Sequence, residues 1–226
     1  MSKDFSKVVI AIDGPAGAGK STVSKALARE LELSYLDTGA MYRSLALKAS
    51  RAELAPSDEV GVAELMESTT IEFGHGDPQP VFLDGEEVTA LIRTPEISEF
   101  ASAISAHSAV RRALVARQKL LVEGGGVILE GRDATTVIAP AADLKIFLTA
   151  SLEERAKRRR LEFVQRGVEG NFESVRQEIQ NRDHRDITRE DSPLKVADDA
   201  VIVESAGIPV DEVVTKIKSL LDSLVS

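Results

Sequence analysis

Short apolar runs alternate with helical patterns along most of the chain. Residues 7–12 form a β-branched run before Asp13-Gly14, which predicts a buried strand, and residues 21–33 place apolar side chains on one face of a helix. Strands are also predicted at 127–129, 144–148 and 200–203, and helices at 109–122, 152–165, 172–182 and 210–224. Such alternation favours right-handed crossovers and a parallel sheet. The pattern predicts a three-layer α/β fold.

One segment interrupts this alternation. Between residues 69 and 88, the short apolar runs 71–73 and 81–83 flank a turn rich in glycine and proline, and Asp84-Gly85 forms a second tight turn before residues 86–88. This pattern predicts a small antiparallel three-stranded insertion. The helices predicted on either side of it are 40–51, 58–67, 95–104 and 110–122.

Composition narrows the class of protein. A chain of 226 residues fits a single domain with an insertion. A net charge of -9 disfavours nonspecific binding to nucleic acid, and the lack of cysteine excludes thiol nucleophiles and cysteine-bound zinc. The amino terminus has no apolar signal region and every apolar run is strand-sized. These features predict a cytoplasmic protein without a membrane partner.

A phosphate-binding loop is the strongest local signal. The residues from Gly14 to Ser21 match G-x-x-x-x-G-K-[ST] and stand between a predicted strand and a predicted helix. The glycines let backbone N–H groups converge on phosphate oxygens, Lys20 reaches the β and γ phosphates, and the Ser21 hydroxyl is placed to ligate Mg²⁺. The predicted ATP-binding residues are Gly14, Pro15, Ala16, Gly17, Ala18, Gly19, Lys20, Ser21 and Thr22.

This loop specifies a nucleoside triphosphate but not a reaction. The only asparagines, Asn171 and Asn181, do not begin the N-K-x-D motif by which GTPases read guanine, and the L-S-G-G-Q signature of ABC-type ATPases is absent. The chain is also too short for most motor or helicase cores. A small-molecule kinase remains.

Clusters of arginine suggest where the acceptor binds. Thr38 is a possible N-cap of a helix that carries Tyr42 and Arg43 in its first turn, and Arg132 follows a predicted strand. The other clusters are Lys157–Arg160 and the run that contains Arg182, Arg185 and Arg189. In an acidic chain these clusters predict sites that gather phosphate charge. The alternative for Lys157–Arg160 is a basic last helical turn that answers the helix dipole.

Taken together, the motifs resemble those of the bacterial cytidylate kinase family. The resemblance rests on the residues from Ile10 to Ser21, Asp37 to Arg43, Ile92 to Glu96, Gly131 to Asp133, Lys145 to Leu148 and Glu153 to Ala156. It covers about residues 8–203 and includes the insertion, which marks the long bacterial type. The resemblance implies a three-layer P-loop kinase that acts as a monomer and uses ATP and Mg²⁺ to phosphorylate CMP or dCMP. It also implies a monophosphate-binding region over about 38–110 and a helical lid over about 155–170.

The resemblance implies a role for individual residues. Arg43 and Arg132 are expected to bind the CMP phosphate, beside Thr38 and Tyr42. Asp133, Arg111 and Ser102 are expected to read cytosine. Sugar and phosphate contacts are expected from Arg182, Asp186 and Arg189, and contacts to the ATP phosphates from Arg158 and Arg159. The expected catalytic residues are Lys20, Arg132, Arg158, Arg159 and Arg189, with Ser21 on the metal.

The sequence departs from the family pattern in three places. Thr38 replaces serine and keeps the hydroxyl, Glu130 replaces aspartate, and Ala134-Thr135 replaces a bulky residue followed by glycine. A β-branched residue such as Thr135 is expected to be strained if this position requires a positive φ. A second role for Asp133, merely orienting Arg132, also remains open.

Two rival functions remain open. The first is a related kinase for UMP or for a nonnucleotide acceptor such as shikimate. The second is a noncatalytic regulator that binds ATP without transferring phosphate.

Overall fold

The structure is a computed structural model that describes residues 5–74, 76, 78–165, 167 and 171–224. The strands are β1 (Val9–Asp13), β2 (Ser34–Asp37), β3 (Ile71–Phe73), β4 (Val81–Leu83), β5 (Glu86–Glu87), β6 (Val127–Gly131), β7 (Leu144–Thr149) and β8 (Val201–Glu204). The α-helices are α1 (Lys20–Leu31), α2 (Thr38–Arg51), α3 (Glu59–Glu67), α4 (Pro95–Ile104), α5 (Ser108–Val122), α6 (Leu152–Gln165), α7 (Phe172–Thr188) and α8 (Val210–Leu224). The chain divides into two compact units, Met1–Leu36 with Lys119–Ser226, and Asp37–Gln118.

The first unit contains the predicted parallel sheet, in the order β2-β6-β1-β7-β8. The central strand β1 pairs with β6 and β7, with Val9 opposite Val127 and Ile10 opposite Leu144. The core joins the sheet to Leu27 of α1 and Ile217 of α8, both fully buried. The parallel pairing of these strands confirms the predicted α/β class. The apolar runs predicted it correctly because strands buried in such a sheet consist of nearly continuous apolar residues.

Helices α6 and α7 pack together in the same unit. Ala156 and Phe163 of α6 share a buried cluster with Val175 and Ile179 of α7, and Ala16 of the phosphate loop belongs to it. Helix α7 continues to Thr188, six residues beyond the predicted end at 182. The pattern missed this extension because its buried position is a charged residue, Asp186, rather than an apolar one.

The second unit contains the predicted insertion. Strands β3, β4 and β5 form an antiparallel sheet in that order, which confirms the three-stranded prediction. The turn between β4 and β5 has φ of 50° at Asp84 and 84° at Gly85, the backbone that a two-residue hairpin turn requires. His75 and Asp77, in the turn between β3 and β4, lie outside the described residues.

The cap of α2 differs from the prediction. The N-cap is Asp37, whose carboxylate accepts a hydrogen bond from the Ala40 backbone N–H at 3.0 Å, and Thr38 is the first helical residue. The expectation that Thr38 caps the helix was wrong, since the carboxylate one residue earlier already satisfies the exposed N–H. As a result, Tyr42 and Arg43 lie in the second turn of α2 rather than the first.

Across the described ranges of the chain, no helix is both long enough and apolar enough to span a membrane.

Candidate active site

The phosphate loop links β1 to α1 in the predicted strand–turn–helix context. Gly14 has φ of 151°, and a Cβ at this position would lie 1.9 Å from the Leu148 carbonyl oxygen, so that only glycine fits. Ser21 and Thr22 are exposed in the first turn of α1. Lys20 is buried and donates to the carbonyl oxygens of Gly14 at 2.8 Å and Pro15 at 2.9 Å. The lysine therefore lies folded over its own loop.

Several charges act on Lys20. Burial and then the positive charge of Arg132 lower the pKa of Lys20 to about 7, while the carboxylates of Glu130 and Asp13 oppose this shift. A polyphosphate at the loop would act in the same direction as those carboxylates and favour the charged amine.

Asp186 organises the neighbouring arginines. Its Oδ2 accepts from Arg132 Nε at 2.8 Å and its Oδ1 accepts from Arg189 Nη1 at 3.3 Å. Burial alone would raise the pKa of Asp186, but the charges of Arg132, Arg182 and Arg189 outweigh it and hold the pKa below its usual value. The charges of Arg132 and Arg182 also lower the pKa of Lys20. Both arginines therefore lie close enough to interact with the lysine of the phosphate loop.

The two predicted lid arginines have different surroundings. Arg158 donates to Ser205, at 3.0 Å to Oγ and 2.6 Å to the carbonyl oxygen, and lies beside Ala18 of the phosphate loop. Arg159 pairs with Glu162 at 3.2 Å and lies 4.7 Å from the Phe163 ring centre, along its own helix. Of these two arginines, only Arg158 contacts the phosphate loop.

The basic cluster at 157–160 lies in the middle of α6. No basic residue occupies the last turn of this helix within its described range, so the alternative of a basic last turn is wrong. Arg166 and residues 168–170 of the expected lid lie outside the described residues. The lid over 155–170 stays a prediction.

A buried ion pair at the loop escaped the sequence reasoning. Arg155 donates to Asp183 at 2.5 Å and to the Ala16 carbonyl oxygen at 3.0 Å, and Asp183 accepts from the Ala16 N–H at 3.1 Å. The two side chains thus hold both backbone groups of Ala16. The available signal was the position of Arg155 beside Ala156, on the apolar side of α6, where a solvated arginine is not expected.

The second unit holds the other predicted acceptor residues. Arg43 pairs with Asp37 at 2.7 Å, and the Arg111 guanidinium lies 5.5 Å from the Tyr42 ring centre. Burial alone would raise the pKa of Asp37, but Arg43 and the Ala40 N–H outweigh it and hold the pKa below its usual value. Tyr42 and Arg111 are therefore brought together, and Arg43, which pairs with the N-cap residue Asp37, lies on the same helix as Tyr42.

Two further predicted residues of this unit are buried. Arg111 is only 2% exposed and donates to the Ser105 carbonyl oxygen at 3.0 Å. Thr38 is buried as well. Ser102 is 4% exposed, and its hydroxyl has no hydrogen-bond partner among the described residues. A buried hydroxyl of this kind suits a ligand that can pair with it.

The departures from the family pattern have structural counterparts. Thr135 lies in a π-helical turn, Ala134–Ile138, which follows the buried Asp133, and its backbone is helical. The expected strain from positive φ therefore does not arise. Glu130 is buried and accepts a hydrogen bond from the Tyr35 hydroxyl. The longer carboxylate at 130 thus joins β6 to β2.

A parallel sheet whose central strand leads into a phosphate loop, with arginines gathered at that loop, defines the chain as a P-loop kinase. The family model for cytidylate kinase matches residues 10–223. The chain is 46% identical to the cytidylate kinase of Listeria welshimeri, over 97% of this chain and 98% of that protein. It is 48% identical to the cytidylate kinase of Caldicellulosiruptor bescii, over 97% of both. The chain belongs to the cytidylate kinase family.

Solved structures support the same fold. Shikimate kinase from Bacteroides thetaiotaomicron matches with a TM-score of 0.50 at 12% identity, covering 95% of this chain and 98% of that one. Shikimate kinase from Acinetobacter baumannii, solved in complex with shikimate, matches with a TM-score of 0.50 at 15% identity, covering 97% and 95%. At these identities the likeness concerns the fold alone.

Proposed function

We propose that this protein transfers the γ-phosphoryl group of ATP to CMP or dCMP, giving CDP or dCDP. The observation that carries the proposal is the group of arginines around Asp186 beside Lys20, in a chain of the cytidylate kinase family. Such a transfer joins two anions, and cations held in place beforehand stabilise the charge that moves between them.

No side chain needs to act as a strong base in this reaction. The nucleophile is a phosphate oxygen of CMP, which is mostly ionised at neutral pH. Lys20 and Arg158 at the loop bind the ATP phosphates, Arg132 and Arg43 hold the CMP phosphate, and Arg182 and Arg189 complete the positive surroundings. Arg159 joins Arg158 if α6 moves toward bound ATP. Positioning and charge neutralisation then supply most of the rate.

Magnesium fits the donor groups that the loop offers. Across the part of the chain that the structure describes, no three acidic or histidine side chains gather into a metal site. Mg²⁺ is commonly held by one or two protein oxygens together with substrate phosphates. We assign this part to the hydroxyl of Ser21, an exposed residue in the first turn of α1. When bound, the ion neutralises charge on the β and γ phosphates.

Base recognition is assigned to Asp133, Arg111 and Ser102. Cytosine offers an N4 amino donor and an N3 acceptor, whereas uracil offers the O4 acceptor and an N3–H donor. A carboxylate accepts from N4, and a guanidinium or hydroxyl donates to N3. Uracil would leave these groups unpaired, which typically costs about 1 to 3 kcal/mol for each buried group. We therefore expect a strong preference for CMP over UMP.

The test is ADP release that depends on the acceptor, compared across CMP, dCMP, UMP and shikimate. Release with UMP or shikimate but not CMP would replace the proposal with one of the related kinases. ATP binding without release for any acceptor would favour a noncatalytic regulator. Light scattering during size-exclusion chromatography tests the expected monomer, and cell fractionation tests the expected cytoplasmic location.

Two variants separate base recognition from phosphate binding. Asp133→Ala should bring kcat/KM for CMP and UMP closer together, whereas Arg43→Ala should lower both by the same factor. If Asp133→Ala loses activity on both acceptors and keeps the wild-type ratio, the side chain only orients Arg132. In that case base recognition must be assigned to other residues.

A further inference from the structure

A buried carboxylate joins the start of the phosphate loop to the turn after Arg132 and Asp133. Asp13 is the last residue of β1, is fully buried and lies opposite Gly131 of β6. Its Oδ1 accepts from the Ala134 N–H at 2.9 Å, and its Oδ2 accepts from the Thr135 N–H at 2.8 Å and from the Thr135 hydroxyl at 2.6 Å. One side chain thus receives three hydrogen bonds from two consecutive residues.

Only one of these three donors depends on the side chain at position 135. The two backbone N–H groups would be present with glycine, the residue of the family pattern, whereas the hydroxyl requires threonine or serine. The hydroxyl bond is therefore the part of this link that depends on the side chain at position 135.

We propose that Thr135 is a positioning residue for phosphoryl transfer, whose hydroxyl locks the Asp13 carboxylate between the phosphate loop and the Arg132–Asp133 segment. Thr135 and Asp13 are 1% and 0% exposed, and the hydroxyl of Thr135 is already bonded to the Asp13 carboxylate, so neither is assigned a substrate contact. Their effect passes through their neighbours in the chain. Asp13 directly precedes Gly14, and Thr135 follows Asp133 by two residues. The inference rests on the proposed transfer of phosphate to CMP.

The surroundings of Asp13 make the hydroxyl matter. Burial raises the pKa of Asp13 and the negative charge of Asp133 raises it further, while the hydrogen bonds from Thr135 lower it. Asp13 also interacts electrostatically with Lys20 of α1, whose positive charge favours the carboxylate. The charges that surround Lys20 in turn are Glu130, Arg132 and Arg182. Loss of the hydroxyl should therefore raise the pKa of Asp13, so that the carboxylate is protonated at a higher pH.

Protonation of Asp13 would disturb the link. A protonated carboxyl gains a donor and loses acceptor capacity, so it cannot receive all three hydrogen bonds equally well. The turn after Arg132 and the start of the phosphate loop would then no longer be held in one arrangement. Activity should fall on the acidic side of the pH profile, before the protein unfolds.

The test compares pH profiles of kcat/KM for CMP. Thr135→Val keeps the shape and removes the hydroxyl, and Thr135→Ser restores a hydroxyl. We expect the acidic limb of the Thr135→Val profile to move up by about one pH unit, giving about a tenfold loss on that limb and little loss above it. Thr135→Ser should return the limb toward the wild-type position. Thr135→Gly, which keeps both backbone donors, should behave like Thr135→Val.

The neighbouring threonine provides a matched control. Thr136 lies in the same π-helical turn, and its hydroxyl has no hydrogen-bond partner within the described part of the chain. Thr136→Val should leave the acidic limb in place. A Thr135→Val profile that superimposes on the wild type, or a Thr135→Ser profile that does not recover, would overturn the proposal.

A second measurement does not depend on activity. Because the folded-state pKa of Asp13 is raised, its ionisation lowers stability as pH rises from the unfolded pKa through the folded one. A higher folded pKa in Thr135→Val should therefore give a stability deficit that grows with pH between the wild-type and the variant folded pKa of Asp13 and stays constant below and above that interval. A deficit independent of pH would indicate lost packing only and overturn the proposal. If the wild type released no ADP with any acceptor, the proposed function would fail, while this measurement would still report on the Thr135–Asp13 bond.

Discussion

Removal of the Asp183 carboxylate tests how the phosphate loop is held. Asp183→Ala would leave the Arg155 guanidinium, whose side chain is 9% exposed, without its ionic partner, and would leave the Ala16 N–H without its acceptor. Breaking a buried pair by removing one partner costs about 3 to 5 kcal/mol. Arg155 keeps its bonds to the carbonyl oxygens of Ala150 and Ala16, so we expect the lower end of that range.

Thermal unfolding measures the stability part of this prediction. In a chain of this length 1 kcal/mol moves Tm by about 2 to 4 °C, so Asp183→Ala should lower Tm by at least about 6 °C. Asp183→Asn keeps an acceptor for the Ala16 N–H, so its Tm should lie between those of the wild type and Asp183→Ala. The control is Glu30→Ala, which breaks the half-exposed Lys218 pair at 2.6 Å and should cost no more than about 1 kcal/mol.

Kinetics measure the positioning part. Because Ala16 belongs to the loop proposed to bind ATP, displacement of its backbone should lower kcat/KM for ATP by about tenfold to a hundredfold. A Tm for Asp183→Ala equal to that of Glu30→Ala, with unchanged kcat/KM for ATP, would refute the argument that this pair holds the loop.

Three further predictions concern the loop, the acceptor helix and the lid. Lys20→Ala should lose more than nine tenths of kcat/KM, at least about 1.4 kcal/mol, with Lys218→Ala as the surface control; a smaller loss in a coupled ADP assay would remove Lys20 from the transfer step. Asp37→Asn should lower the free energy of unfolding, measured in urea, near neutral pH. This loss should shrink as pH falls below about 4, because the pKa of Asp37 is depressed and its ionic contribution vanishes on protonation. A loss of stability that persists in acid would be due to packing. Amide exchange in 155–165 should slow when ATP and CMP are bound, and equal protection in both states would contradict a closing lid.

Elements with an apolar period were predictable from the sequence. Helices α4, α6 and α8 begin and end where their patterns do. Strand β2 was missed because only Leu36 of its four residues is fully buried, so it offers no apolar run. The π-helical turn was missed because its apolar and hydroxyl residues have no period that distinguishes it from a loop.

The identity of the site residues was more predictable than their partners. The phosphate loop is contiguous in sequence, so its residue types and spacing suffice to predict it. The partners of Arg132 and Asp13 lie 54 and 122 positions away along the chain. No local pattern pairs residues across such distances, because their contact depends on how β1, β6 and α7 come together.

The arrangement of carboxylates explains how an acidic chain can hold so many arginines at one site. Asp183 and Asp186 lie three residues apart on α7, so both face the same side of the helix. Asp183 pairs with Arg155 beneath the phosphate loop, and Asp186 pairs with Arg132 and Arg189. Each carboxylate reduces the repulsion among the guanidinium groups and fixes their direction before a substrate binds. A bound phosphate therefore meets cations that are already oriented, and less of its binding energy is lost in ordering them.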